Sequence, residues 1–140
     1  MIMTGIIAGA VLSLCALARR RLEGGRDGTV SLFGGRVLVR RLYNQGSGFG
    51  LLPLDARRMA PLSLAALAAL LRAYGSHRLG AGLILGGGAS NLYERIRLGR
   101  VLDYLRFPKA PGVLKKYTYN LADLCIFLGA AVLLLRGRRK

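Results

Sequence analysis

A chain of 140 residues holds one small domain, and 53% hydrophobic against 20% charged residues separates it from ordinary soluble ones. Its 22 Lys and Arg against 6 Asp and Glu give a net charge of +16, which alone admits either nucleic acid or an anionic membrane as partner. The basic residues bracket apolar runs, and neither aromatic stacking platforms nor a basic helix with a polar surround accompanies them, which sets nucleic acid aside in favour of a membrane.

The first apolar run, Ile2 to Ala18, predicts a helix close to the lower length limit for crossing a bilayer. No positively charged stretch precedes it, and the bulky Leu14 before Cys15 argues against a lipidation site, so a retained helix is expected. Next, Thr29-Val-Ser-Leu-Phe33, Gly34-Gly35 and Arg36-Val-Leu-Val-Arg-Arg-Leu-Tyr43 read as a hairpin whose Gly-Gly pair tolerates the positive φ of a tight turn. Asn44-Gln-Gly-Ser-Gly-Phe-Gly50 then predicts a bend or a close backbone approach. Met59 to Tyr74 and Leu79 to Tyr93 are short for membrane spans, with Arg72 and Arg95 able to snorkel from their ends. Gly80-Ala-Gly-Leu-Ile-Leu-Gly-Gly-Gly-Ala89 is a poor isolated helix, yet its small residues suit close packing inside a membrane bundle. The last run, Tyr117 to Leu135, is comfortably long. The fold class read from this pattern is an all-α membrane protein, a single domain over 1–140. It has four transmembrane helices at about 2–18, 59–74, 79–93 and 117–135, and a small sheet-like platform at about 29–52.

The chemistry concentrates in aspartates. Asp123 lies inside the last apolar run, where insertion costs on the order of 2.5–3.5 kcal/mol, so function is its default explanation. Asp103 stands shortly before it in Val-Leu-Asp-Tyr. Taken singly, Asp103 also reads as an exposed ion-pair partner of Arg100 or Arg106, and Asp123 as a buried partner of Arg95. Asn91 and Asn120 taken singly read as helix-packing hydrogen bonders. His77 reads as a solvated loop residue, and with no second histidine or spaced cysteine pair no metal site is expected. Cys15 and Cys125 fall in separate apolar runs and behave as small hydrophobes; a disulfide between them stays open.

Four blocks carry a resemblance: Tyr43-Asn-Gln-Gly-Ser-Gly-Phe-Gly-Leu-Leu52, Gly86-Gly-Gly-Ala-Ser-Asn-Leu-Tyr-Glu-Arg95, Leu98-Gly-Arg-Val-Leu-Asp-Tyr104 and Tyr119-Asn-Leu-Ala-Asp123. In order and spacing the chain resembles the lipoprotein signal peptidase (signal peptidase II) family over most of residues 37–135. The resemblance implies an intramembrane aspartic endopeptidase of the bacterial inner membrane that needs no cofactor. It would remove signal peptides from prolipoproteins whose cysteine carries a diacylglyceryl group. Asp103 and Asp123 match the catalytic pair. Asn44, Gly46, Asn91, Arg95 and Asn120 match the supporting or substrate-binding positions, with Asn120 expected on the same helical face as Asp123. The resemblance further implies an active site near the outer face and makes the platform at 29–52 a small extracytoplasmic β-cradle; a monomer is expected.

The chain departs from the family pattern in several places. The first-helix Asp-x-x-x-Lys has no aspartate counterpart in Leu14-Cys-Ala-Leu-Ala-Arg-Arg-Arg21, Glu94 stands for Asp, Ser90 for Gly and Gly48 for Ala. A peptidase-derived protein that binds lipopeptides or signal helices without cleaving them is therefore the alternative expectation. The arginines and lysines concentrate in 19–58 and 94–116, which by the positive-inside rule alone would invert the family's orientation. In that orientation the outer basic loops are expected to hold anionic lipid headgroups or the lipid portion of the substrate.

Overall fold

The computed structural model describes residues 2–44, 56–74 and 77–137. In chain order these form α1 (Ile2–Glu23), β1 (Val30–Leu32), β2 (Val37–Asn44), α2 (Ala56–Tyr74), α3 (Arg78–Leu98), β3 (Val101–Arg106), β4 (Thr118–Tyr119) and α4 (Leu121–Gly137). A short 3-10 turn, Gly112–Lys115, lies between β3 and β4. The chain is thus mostly helical with one small antiparallel sheet, ordered β1-β2-β3-β4.

The glycines of α3 explain the helical layer. A Cβ on Gly82 would sit 2.7 Å from Ile7, and one on Gly86 would sit 2.6 Å from the Ala8 carbonyl of α1. On Gly80 it would meet Leu133 at 2.7 Å, and on Gly87 the Ala122 carbonyl of α4 at 2.5 Å. On Gly88 it would meet Leu67 of α2 at 2.5 Å. The glycines expected to form one packing face therefore serve three, and α3 is the central helix against which the other three lie. Such close backbone approach compensates for the poor helix propensity of glycine.

Large side chains point the other way. Ala81 is fully buried, whereas Ile2, Leu14, Leu128 and Leu134 are exposed, Leu134 by 72%. Small residues inside and long aliphatic ones outside is the arrangement expected where lipid, not water, surrounds the bundle. By length and composition α1 alone is long and apolar enough to cross a membrane among the described residues; Pro61–Tyr74 and Leu121–Leu135 are shorter apolar stretches.

Three features differ from the sequence reading. First, α1 and α3 run on past Ala18 and Tyr93 to Glu23 and Leu98. Their polar ends are rich in Arg and Glu, good helix formers, and Gly99 at φ 65 stops α3 with its N–H on the Arg95 carbonyl. Second, the sheet is not confined to 29–52, because β3 pairs with β2 and β4 with β3. Third, α4 begins at Leu121 and not at Tyr117, because Thr118 and Tyr119 are drawn into the sheet opposite Arg106 and Leu105. The hairpin itself follows expectation: Phe33, Gly34 and Gly35 take φ of 52, 63 and 78° between paired Leu32 and Val37. Gly46 and the rest of the glycine-rich bend lie outside the described residues.

Candidate active site

The sheet's inner strand delivers the first carboxylate. Val101-Leu-Asp-Tyr-Leu-Arg106 follows directly on the Gly99 cap of α3, and Val101 to Tyr104 are all buried, so β3 is covered on both faces at this point. Asp103 is only 5% exposed. Its Oδ2 accepts from Asn44 Nδ2 at 3.1 Å, from the end of β2, and its Oδ1 accepts from Asn120 Nδ2 at 3.0 Å.

The second carboxylate is set by a helix cap. Asn120 immediately precedes α4; its Oδ1 accepts from the Asp123 N–H at 2.9 Å, while Asp123 Oδ2 accepts from the Asn120 N–H at 3.0 Å. This reciprocal pair is a capping box, with each side chain satisfying the other residue's backbone donor. Asn120 therefore does not share a helical face with Asp123, as its spacing suggested, but closes the helix from outside. Asp123 Oδ1 accepts from Asn91 Nδ2 of α3 at 2.9 Å.

Asn120 joins the two halves. Its single Nδ2 donates to Asp103 Oδ1 and to Asn91 Oδ1, the latter at 3.1 Å, while its Oδ1 is occupied by α4. Four elements, β2, α3, β3 and the start of α4, thus converge on two carboxylates whose four oxygens each accept a hydrogen bond. Burial is the main cause that pushes Asp103 from its ordinary 3.8 up to about 6; the Asn44 hydrogen bond holds it down and the nearby Asp123 charge adds to the rise.

Asp123, Asn91 and Arg95 stand at the polar part of a cleft of about 330 Å³ between α2, α3 and α4, whose walls include Leu67, Ile84 and Phe127. The buried Nε of Arg95 has no hydrogen-bond partner. Arg100 does not pair with Asp103; it stacks 4.0 Å over the ring of Tyr43.

Two contributors escaped sequence reasoning. Tyr104 accepts from the Leu121 N–H at 3.0 Å, fastening β3 to the first turn of α4. Burial pushes its hydroxyl up to about 12. Glu94 is 6% exposed, accepts from the Leu102 N–H at 2.9 Å and lies 3.8 Å from Arg19 Nε. Arg19, Ser90 and Glu94, at or beside the departures from the family pattern, line one small cavity with Cys15 and Tyr104. The only advance signal was the departures themselves. Replacing Glu94 by Ala leaves the Leu102 N–H without its acceptor next to Asp103, at a cost of about 1–3 kcal/mol. Thermal unfolding should show a clear drop in midpoint for Glu94→Ala and a much smaller one for Glu94→Gln, which keeps an acceptor oxygen.

Known proteins resemble this chain in sequence and in fold. A family model described as signal peptidase (SPase) II matches residues 16–137. A lipoprotein signal peptidase of Halothermothrix orenii is 38% identical over 100 residues, covering 67% of this chain and 65% of that protein. One of Desulfitobacterium hafniense is 34% identical over 101 residues, covering 67% of this chain and 64% of that protein. Each match thus spans just under two thirds of the relative's length. A bacterial membrane enzyme solved by the in meso method at 2.3 Å superposes with a TM-score of 0.85 at 14% identity, covering 99% of this chain and 89% of that one; at that identity the likeness speaks to the fold.

Proposed function

This chain belongs to the signal peptidase II family of bacterial membrane proteases that act on lipoproteins, and from that premise we propose that it is an aspartic endopeptidase working inside the membrane. Its substrates are prolipoprotein signal peptides, cut before the lipid-modified cysteine, and Asp103 and Asp123 are the catalytic pair. What carries the reading is the shared Asn120 amide that ties the buried Asp103 and the half-buried Asp123 into one network. Two acids joined through one amide, with the Asp123 charge felt at Asp103, do not both ionise readily, and they titrate as a unit.

In this reading Asp103 holds the shared proton and Asp123 is the base. Asp123 takes a proton from water as the water oxygen attacks the scissile carbonyl carbon, and Asp103 gives its proton to the carbonyl oxygen, leaving a tetrahedral diol. Collapse of the diol breaks the C–N bond as Asp123 gives its proton to the leaving amine and Asp103 takes one from a diol hydroxyl, which leaves the carboxylic acid and restores both acids to their starting states. Asn44, Asn91 and Asn120 orient the acids, and Arg95 stands with Asn91 and Asp123 at the polar part of the apolar cleft that receives the signal helix. Gly46 is assigned to close approach of the bound peptide by the resemblance alone. All four helices cross the bilayer, with the sheet and the acids at its outer face, and the protein acts as a monomer.

The direct test is a purified chain, with Asp103→Asn and Asp123→Asn variants, incubated with a diacylglyceryl-modified preprotein and analysed for the released signal peptide. A further expectation concerns pH. Asp103, raised to about 6 chiefly by burial, is protonated below that value, so kcat/KM should fall as pH climbs through it. The stability contribution has the same sign: it is present below the ordinary 3.8 and lost as pH rises through about 6. Asn44→Ala removes a hydrogen bond that favours the ionised form and should move the falling limb to higher pH. A limb that stays put or moves to lower pH contradicts the assignment of the proton to Asp103.

A further inference from the structure

Two adjacent arginines of β2 have different surroundings. The Arg41 guanidinium donates to the Glu23 carbonyl at 3.1 Å and the Gly25 carbonyl at 3.2 Å and pairs with Asp27, lashing β2 to the connection after α1. Arg40 adjoins Asp27 and Arg41 in one hollow without itself forming an ion pair there, and it also lines a second hollow of about 220 Å³ on the sheet with Arg106, Thr29, Thr118, Leu38 and Leu42. Arg106 is the cross-strand partner of both Leu38 and Thr118, so β2, β3 and β4 build the hollow together. Among the described residues the ion pairs are Arg19–Glu23, Arg19–Glu94 and Arg41–Asp27; neither Arg40 nor Arg106 takes part.

Two arginines lining one hollow whose own lining holds no carboxylate favour an anion between them. The fork of each guanidinium matches a pair of phosphate oxygens, and the threonine hydroxyls add donors. Leu38 and Leu42 add an apolar wall that an inorganic anion would not need. The same sheet presents an apolar and basic rim: Phe33 at the hairpin tip is 78% exposed and Val113 on the 3-10 turn 63% exposed. Lys109 Nζ donates to the Gly34 carbonyl at 2.8 Å, fastening the loop after β3 to the hairpin tip. Exposed aromatic and aliphatic side chains beside lysines suit the headgroup region of a bilayer.

We propose that this hollow binds an anionic phospholipid, with Arg40 and Arg106 on the phosphate oxygens and Leu38 and Leu42 against the glycerol ester portion. The proposal rests on the proposed placement of the sheet at the membrane face and stands apart from the peptidase chemistry.

Native mass spectrometry of the purified full chain in detergent, titrated with phosphatidylglycerol or phosphatidylcholine, tests it. The wild type should retain phosphatidylglycerol about tenfold better. The preference should vanish in Arg40→Ser/Arg106→Ser and fall most of the way in Arg40→Lys/Arg106→Lys, which keeps charge and removes the fork. It should persist in Lys115→Ser/Lys116→Ser and in the presence of millimolar inorganic phosphate. The lysine pair decides the matter if the serine pair does not fold: a full preference in it overturns the proposal. Equal loss in the Lys115/Lys116 variant would mean diffuse charge, and displacement by inorganic phosphate would mean a free-anion site; either result also overturns it.

Discussion

Converting Asp103 or Asp123 to Asn is expected to lower kcat for signal-peptide release by roughly 10³–10⁴-fold while leaving KM little changed, the pattern of a group used only in the transition state. Asn matches Asp in shape but can neither act as base nor carry the shared proton. The two variants should differ in stability. In Asp103→Asn, one amide position can still accept from Asn120, but the other then faces the Asn44 amide, donor to donor, unless Asn44 turns over. In Asp123→Asn the new amide NH2 faces a donor in either orientation, the Asn120 N–H or Asn91 Nδ2, so half of the capping box or the tie to α3 is lost while the Asn120 Oδ1 bond to the residue-123 N–H remains. Melting curves must accompany the assay so that a folded, inactive protein is distinguished from an unfolded one. A folded variant that still cuts at the wild-type rate removes that aspartate from the chemistry. A wild type that never cuts, yet binds the lipopeptide as well as either variant does, would instead favour a binding protein built on a peptidase frame.

The parts of this arrangement differ in how far the sequence disclosed them. Asp123 was conspicuous because a carboxylate in an apolar run has no cheap explanation. The glycines of α3 were legible as a packing surface, since only close neighbours make such a helix favourable, although their division among α1, α2 and α4 was not. β3 was hidden because burial on both faces removes the alternation by which strands are recognised, and because its partner β2 lies far away in the chain. Without β3 and β4, the start of α4 was placed too early and the capping role of Asn120 could not be seen. Arg100 looked like a partner for Asp103 from proximity in sequence, but the strand separates the two and sends Arg100 to Tyr43. Glu94 stood out only as a departure from the family pattern; its bond to the Leu102 N–H, one residue before Asp103, needs the turn between α3 and β3 to be known.

The close packing of α3 on α4 makes a second large effect predictable at a position without any reactive group. A Cβ on Gly87 would lie 2.5 Å from the Ala122 carbonyl oxygen and 3.0 Å from Ile126 Cγ1. A backbone oxygen cannot swing aside as a side-chain end can, so α4 itself must shift. Ala122 adjoins Asp123, and Asn91 lies one turn beyond Gly87 on α3, so the shift opens the 2.9 Å Asn91–Asp123 hydrogen bond. Gly87→Ala is therefore expected to lower stability by about 1–3 kcal/mol, and cleavage by about tenfold or more even where the protein remains folded. Gly88 is the informative neighbour: its Cβ would meet Leu67 Cδ2 at 2.5 Å, the far end of a flexible side chain, so Gly88→Ala should be milder on both counts. Gly5 and Gly9 on α1 have nothing within 4 Å, and alanine there should be neutral or stabilise the helix by up to about 1 kcal/mol. Melting temperatures and cleavage rates for the four alanine variants would separate these cases. If Gly87→Ala matched Gly5→Ala in both, α4 would not be held by backbone contact, and the position of Asp123 would need another explanation.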